Sequence, residues 1–139
     1  MMNIVLIIGE NKNENFFNES INIYNKYSDI HKIVICTWKS TNFDNKINDI
    51  INNNNKIHII KTPDLKNITN DTNTTYNSAA IYQKHLFDLG KKYINENICN
   101  TNLDIFVLKT RMDLVISEEQ INFIFNQDYN VNIKNLEIK

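Results

Sequence analysis

DIFVLKTRMDLVIS, residues 104–117, decides how the rest of the chain is read. Ile105, Phe106, Val107 and Leu108 form a short continuous apolar run, the pattern of a strand covered on both faces. The run breaks into Lys109, Thr110, Arg111, Met112 and Asp113, then turns apolar again at Leu114, Val115 and Ile116. Open α/β sheets bind their ligands at the carboxyl ends of strands, and two cations beside a carboxylate suit such a place. Lys109 and Arg111 could neutralise a pyrophosphate there, and Asp113 could hold a divalent cation bridging its phosphates. The plain alternative is a solvated strand end at which Arg111 and Asp113 pair with each other or face water.

Upstream lie three further apolar runs of strand type. NIVLII (3–8) ends at Gly9, KIVICT (32–37) runs into Trp38, and IHII (57–60) is followed by Lys61, Thr62, Pro63 and Asp64. Between them, apolar residues recur every three to four positions. Phe16, Phe17, Ile21, Tyr24 and Tyr27 predict a helix over 14–27, and Phe43, Ile47, Ile50 and Ile51 predict a second. Residues 65–75 are polar and Asn/Thr-rich, a length that suits an active-site flap or an insertion. The longest helix is expected over 76–97, with Tyr82, Leu86, Leu89, Tyr93 and Ile94 available to its buried face and Gly90 inside it. Ser117 and Gln120 form a capping-box pattern opening a helix through 126, and 129–139 alternates weakly, as a last edge strand would.

The order β-α-β-α-β-α-β-α-β predicts an α/β fold: three layers, α/β/α, around a mostly parallel, Rossmann-like sheet. In such a sheet Gly9, Trp38, Asp64 and the pair Arg111 and Asp113 all open onto one carboxyl edge, the main reason to expect a ligand site there. Gly9 is one of only 2 glycines and serves either as a turn residue or as a point where a ligand nears the backbone. Neither GxGxxG nor GxxxxGK[ST] occurs. His58 alternates with isoleucines and reads as a core or edge histidine.

Composition sets the outer bounds. A chain of 139 residues with 42% hydrophobic residues suits one core, and is short for two. The net charge of −1 gives no general attraction to nucleic acid or to an anionic membrane. Asn makes up about a fifth of the chain against a usual share of about a twentieth, a bias of codon type. Cys36 and Cys99 sit in apolar surroundings without CxxC spacing and read as core residues of a reducing compartment. No run approaches the roughly 20 apolar residues of a membrane span. A cytoplasmic protein is expected.

Three blocks together resemble the WavE lipopolysaccharide-synthesis family: IVICTW (33–38), NSAAIYQKHLFDLG (77–90) and FVLKTRMDL (106–114). Gly9, Thr37 with Trp38, Asn77 with Gln83 and Gly90, and the block Lys109-Thr110-Arg111-Met112-Asp113 match that family's pattern in order. Gly9 is followed here by Glu10 where the family has Pro, and Gly90 by Lys91 where it has Leu. The resemblance implies a glycosyltransferase-like protein with a nucleotide-diphospho-sugar fold of the GT-A type. It implies the donor-binding half, without the acceptor half.

By that resemblance Asp113 stands at the last aspartate of a metal-binding DxD motif and Arg111 at the first. Asp113 would hold Mn²⁺ or Mg²⁺, or Arg111 would supply positive charge directly. Gly9, Thr37 and Asp64 would surround the nucleoside, with Trp38 stacking on it or packing the core, while Gln83, Lys109 and Arg111 complete the donor site. The implied partners are a nucleotide-sugar donor and a saccharide or lipid-linked acceptor, with no nucleic acid and no membrane span. Two other readings stay open: a non-catalytic or degenerate nucleotide-binding module, and a flavodoxin-like binding domain, against which Glu10 and Glu14 would repel phosphate after the first strand.

Overall fold

A computed structural model describes residues 2–65, 75–98 and 104–126. The described elements run in the order β1 (Met2–Ile8), α1 (Glu14–Lys26), β2 (Lys32–Trp38), α2 (Asn45–Asn52), β3 (Ile57–Thr62), α3 (Thr75–Tyr93), β4 (Ile105–Arg111) and α4 (Glu118–Phe125). All four strands are parallel and lie in the order β3-β2-β1-β4. The expected alternation is therefore present. The last edge strand expected over 129–139 lies outside the described residues, as do Cys99 and residues 66–74 of the polar loop.

The strands sort their side chains by parity, and that sorting builds the layers. Val5, Ile7, Ile33, Ile35 and Ile57 face one side with Phe17, Ile21 and Tyr24 of α1, Ile47 of α2 and Ile121 of α4. Ile4, Leu6, Ile8, Val34, Cys36 and Trp38 face the other with Leu86 of α3 and Ile94. Right-handed crossovers account for this division. The chain steps from β1 to β2 to β3 in one direction, placing α1 and α2 on one face. It then returns across the sheet to β4, which places α3 on the opposite face.

Helix ends follow local chemistry. Asn13 caps α1 by accepting from Phe16 N at 3.1 Å. Asp44 caps α2 through Ile47 N at 2.9 Å; this bond, with one from Asn18, holds its carboxyl below the usual range. Ser117 and Gln120 complete the expected capping box on α4. The long helix α3 ends in a π-helical turn, Ile94–Ile98.

One expectation needs correcting. β4 is not covered on both faces at the middle of the sheet but lies at its edge among the described strands, with Val107 37% exposed. The buried centre is β1, where Ile4 through Ile8 are all inaccessible or nearly so. β4 also runs three residues beyond the expected 105–108, because its register with β1 continues to the pair Ile8↔Arg111. An apolar run of four residues reads the same at an edge as at the centre.

Candidate functional site

Strand order reverses between β1 and β4, and at such a switch point the two flanking loops part to leave a crevice. A cleft of about 130 Å³ lies at this position. Its walls include Gly9, Glu10 and Lys12 from the loop after β1, Arg111 and Asp113 from the end of β4, and Tyr82 and Gln83 from α3. Ile8, Leu86 and Met112 contribute apolar lining, and Trp38 lines it from the end of β2.

Local rules place these residues. Gly9 has φ +129°, a region closed to side-chain-bearing residues, so the chain leaves β1 at an angle only glycine adopts without strain. A Cβ there would meet Met112 Cβ at 3.7 Å, an ordinary contact, so backbone conformation and not crowding calls for glycine. Asn11 Nδ2 donates to the Asn42 carbonyl at 3.0 Å and pins the loop against the β2–α2 connection. On the other bank, Met112 N donates to Ile8 O at 2.9 Å and Leu114 N to Arg111 O at 3.2 Å. The second bond closes a turn with Met112 and Asp113 at its centre. Met112 is buried, and the turn carries Asp113 back beside Arg111.

Arg111 and Asp113 form a side-on pair: Nε donates to Oδ1 at 3.0 Å and Nη2 to Oδ2 at 2.7 Å. This is the strand-end pairing that the sequence left open beside the ligand reading. The donor set does not fit a divalent cation held by the protein. Both oxygens of Asp113 already accept from a cation, Glu10 is the other carboxylate lining the cleft, and no group of three His, Cys, Asp or Glu gathers among the described residues.

The other expected site residues divide. Gly9, Trp38, Gln83, Arg111 and Asp113 meet at the cleft. Thr37 is fully buried behind it; its hydroxyl donates to the Gly9 carbonyl at 2.6 Å and accepts from Thr41 Oγ1 at 2.7 Å. Asp64 is buried, accepting from Ser40 N at 3.1 Å and from Ser40 Oγ, and lines a small side recess with Glu10, Trp38, Leu65 and Tyr82. Lys109 does not reach the cleft. It lies within β4, and its Nζ sits 5.1 Å from the centre of the Phe87 ring. Trp38 stacks on His85 with centroids 5.8 Å apart and takes the edge of Tyr82 at 5.9 Å. At 4% exposed, Trp38 packs as a core residue does.

Sequence reasoning missed Lys12 and took Tyr82 only for a buried helix position. Nothing in the local pattern marks Lys12; the reversal at Gly9 that returns it to the cleft is a backbone event. Tyr82 could have been found from its phenol, since a buried tyrosine usually keeps its polar end near a partner or a cavity.

No family model, curated protein or solved structure matches the chain. Among the described residues no helix is long and apolar enough to cross a membrane.

Proposed function

We propose that the cleft between β1 and β4 binds a nucleotide-diphospho-sugar, and that the chain is a glycosyltransferase-like protein of surface polysaccharide or lipopolysaccharide synthesis. The observation that carries this reading is the convergence of Gly9, Gln83, Arg111 and Asp113, four residues of the WavE-like pattern, on one cleft at the switch point. Arg111 and Lys12 would meet the diphosphate, and the Gln83 amide would serve sugar hydroxyls. In glycosyl transfer the bond between the anomeric carbon and the phosphate oxygen breaks, and its electron pair goes to that oxygen. A guanidinium placed there lowers the barrier by stabilising the growing charge.

A second reading, a non-catalytic or degenerate nucleotide-binding module, is favoured by the size of the cleft. About 130 Å³ falls below the roughly 300–1,000 Å³ of pockets that enclose a ligand of drug size. Calorimetric titration of UDP, GDP and CDP into wild type and Arg111→Ala tests the site. Selective binding of one diphosphate, lost in the variant, is expected; no binding of any of the three sinks the donor-site reading. Release of the diphosphate from the matching nucleotide-sugar over hours then separates transfer or hydrolysis from mere binding.

A further inference from the structure

We propose that Asp113 is a positioning residue for Arg111 and not a cation ligand, so that the cleft receives an oxyanion without a divalent metal. The proposal rests on the reading of the cleft as a ligand site, but not on the identity of the nucleotide.

The argument starts from the donors of one guanidinium. Arginine has five N–H groups in a plane. Asp113 takes one from Nε and one from Nη2, both along the side of the group. Three remain, two on Nη1 and one on Nη2, and these form the end-on fork that matches a carboxylate or phosphate. The carboxylate thus fixes the plane of the guanidinium while leaving its end-on edge for a ligand.

Magnitudes favour an arrangement that stays in place. The pair is half open to water, with side chains 55% and 37% exposed, so it contributes at most about 1 kcal/mol to folding. Its value lies in orientation, because a free arginine side chain must surrender rotamer freedom when it binds and a tethered one has already done so. Lys12 supplies a second cation from the opposite bank. Formal charges lining the cleft cancel, Lys12 and Arg111 against Glu10 and Asp113. Attraction therefore comes from directed hydrogen bonds and not from a general positive field.

The cation reading places different demands on the same atoms. To coordinate a metal, Asp113 would have to use the lone pairs left over from Arg111, beside that group's positive charge, and no other group completes a set of three protein ligands among the described residues. The two readings thus differ in what EDTA and Mg²⁺ do.

The test is an NMR titration of ¹⁵N-labelled protein with inorganic pyrophosphate, first in EDTA and then with Mg²⁺, followed by UDP, GDP and CDP. In EDTA, the Arg111 Nε–H signal and the amides of 9–12 and 111–113 should shift, and Mg²⁺ should change the affinity by less than about twofold. Asp113→Asn should move the Arg111 Nε–H signal of the free protein and weaken pyrophosphate about tenfold, the scale of one charge-assisted hydrogen bond. A purely structural Asp113 would alter stability and leave the affinity of the folded protein unchanged, which overturns the proposal. Shifts that need Mg²⁺ and vanish in Asp113→Asn overturn it too, and leave the donor-site reading standing. Pyrophosphate binding with no gain from any nucleoside diphosphate supports the proposal and removes the nucleotide reading. No shift with any anion removes both.

Discussion

Thr37 Oγ1 donates to the Gly9 carbonyl at 2.6 Å, tying the end of β2 to the residue at which β1 opens the cleft. The hydroxyl is fully buried and also accepts from Thr41, so two polar groups depend on it. Thr37→Val keeps the shape and removes both bonds, and should cost about 1–3 kcal/mol. Thr37→Ser keeps the hydroxyl and should cost less. Urea denaturation of the two variants checks this; equal losses would mean that the lost methyl contact, not the hydrogen bond, matters.

Gly90 lets α3 lie close against the sheet. A Cβ at this position would come within 2.6 Å of Leu6 Cδ1, 2.9 Å of Leu6 Cδ2 and 3.2 Å of Cys36 Sγ. Alanine would gain up to about 1 kcal/mol of helix propensity, but overpacking a dense core costs about 1–3 kcal/mol. Gly90→Ala should therefore be net destabilising. Leu6→Val in the same chain should recover part of the loss, and strictly additive effects in thermal melts would exclude the contact as the cause.

Cys36 is fully buried in the layer under α3, and burial pushes its thiol up to about 12. Alkylation requires the thiolate, so the folded protein should leave Cys36 unmodified at pH 8. Iodoacetamide labelling read by peptide mass mapping, with and without urea, measures this at Cys36 itself. Rapid labelling of the native protein would refute the packing described here.

His58 on β3 bonds the Tyr93 hydroxyl through Nδ1 at 2.8 Å, and burial followed by the charge of Lys32 lowers its pKa. A histidine whose folded pKa is lowered binds its proton more readily in the unfolded chain. Stability should thus be complete above about pH 6.5 and fall as pH drops from there toward the lowered folded value. Denaturation midpoints between pH 7.5 and 5 should show this decline, and His58→Phe should flatten it. The lowered carboxyls of Asp44 and Asp88 act in the more acidic range, below their usual value of 3.8.

How much was legible depends on whether burial leaves a pattern in the sequence. The buried positions of α1 (Phe17, Ser20, Ile21 and Tyr24) follow the helical period, and β1 is unbroken apolar from Ile4 to Ile8, so helix, strand and alternation could be read directly. The edge position of β4 could not, since it depends on which strand lies beside it in space and not on its own residues. Lys109 was assigned to the site for a related reason. Backbone pairing with β1 carries the strand on to Arg111, so Lys109 shares Arg111's face but lies two residues short of the strand end, over Phe87 and not at the cleft. Of the candidate site, the strand ends were readable and the side-chain partners were not. Arg111 and Asp113 could be expected either to meet a ligand or to pair with each other, and only the fold shows that they pair.

Trp38 is the one tryptophan in the chain, and it lines the cleft with one face stacked against the His85 imidazole. The molecule therefore carries a built-in optical reporter at the place where ligands are expected. Its emission comes from a single indole, without a background from other sites, so occupancy of the cleft can be followed in unlabelled protein.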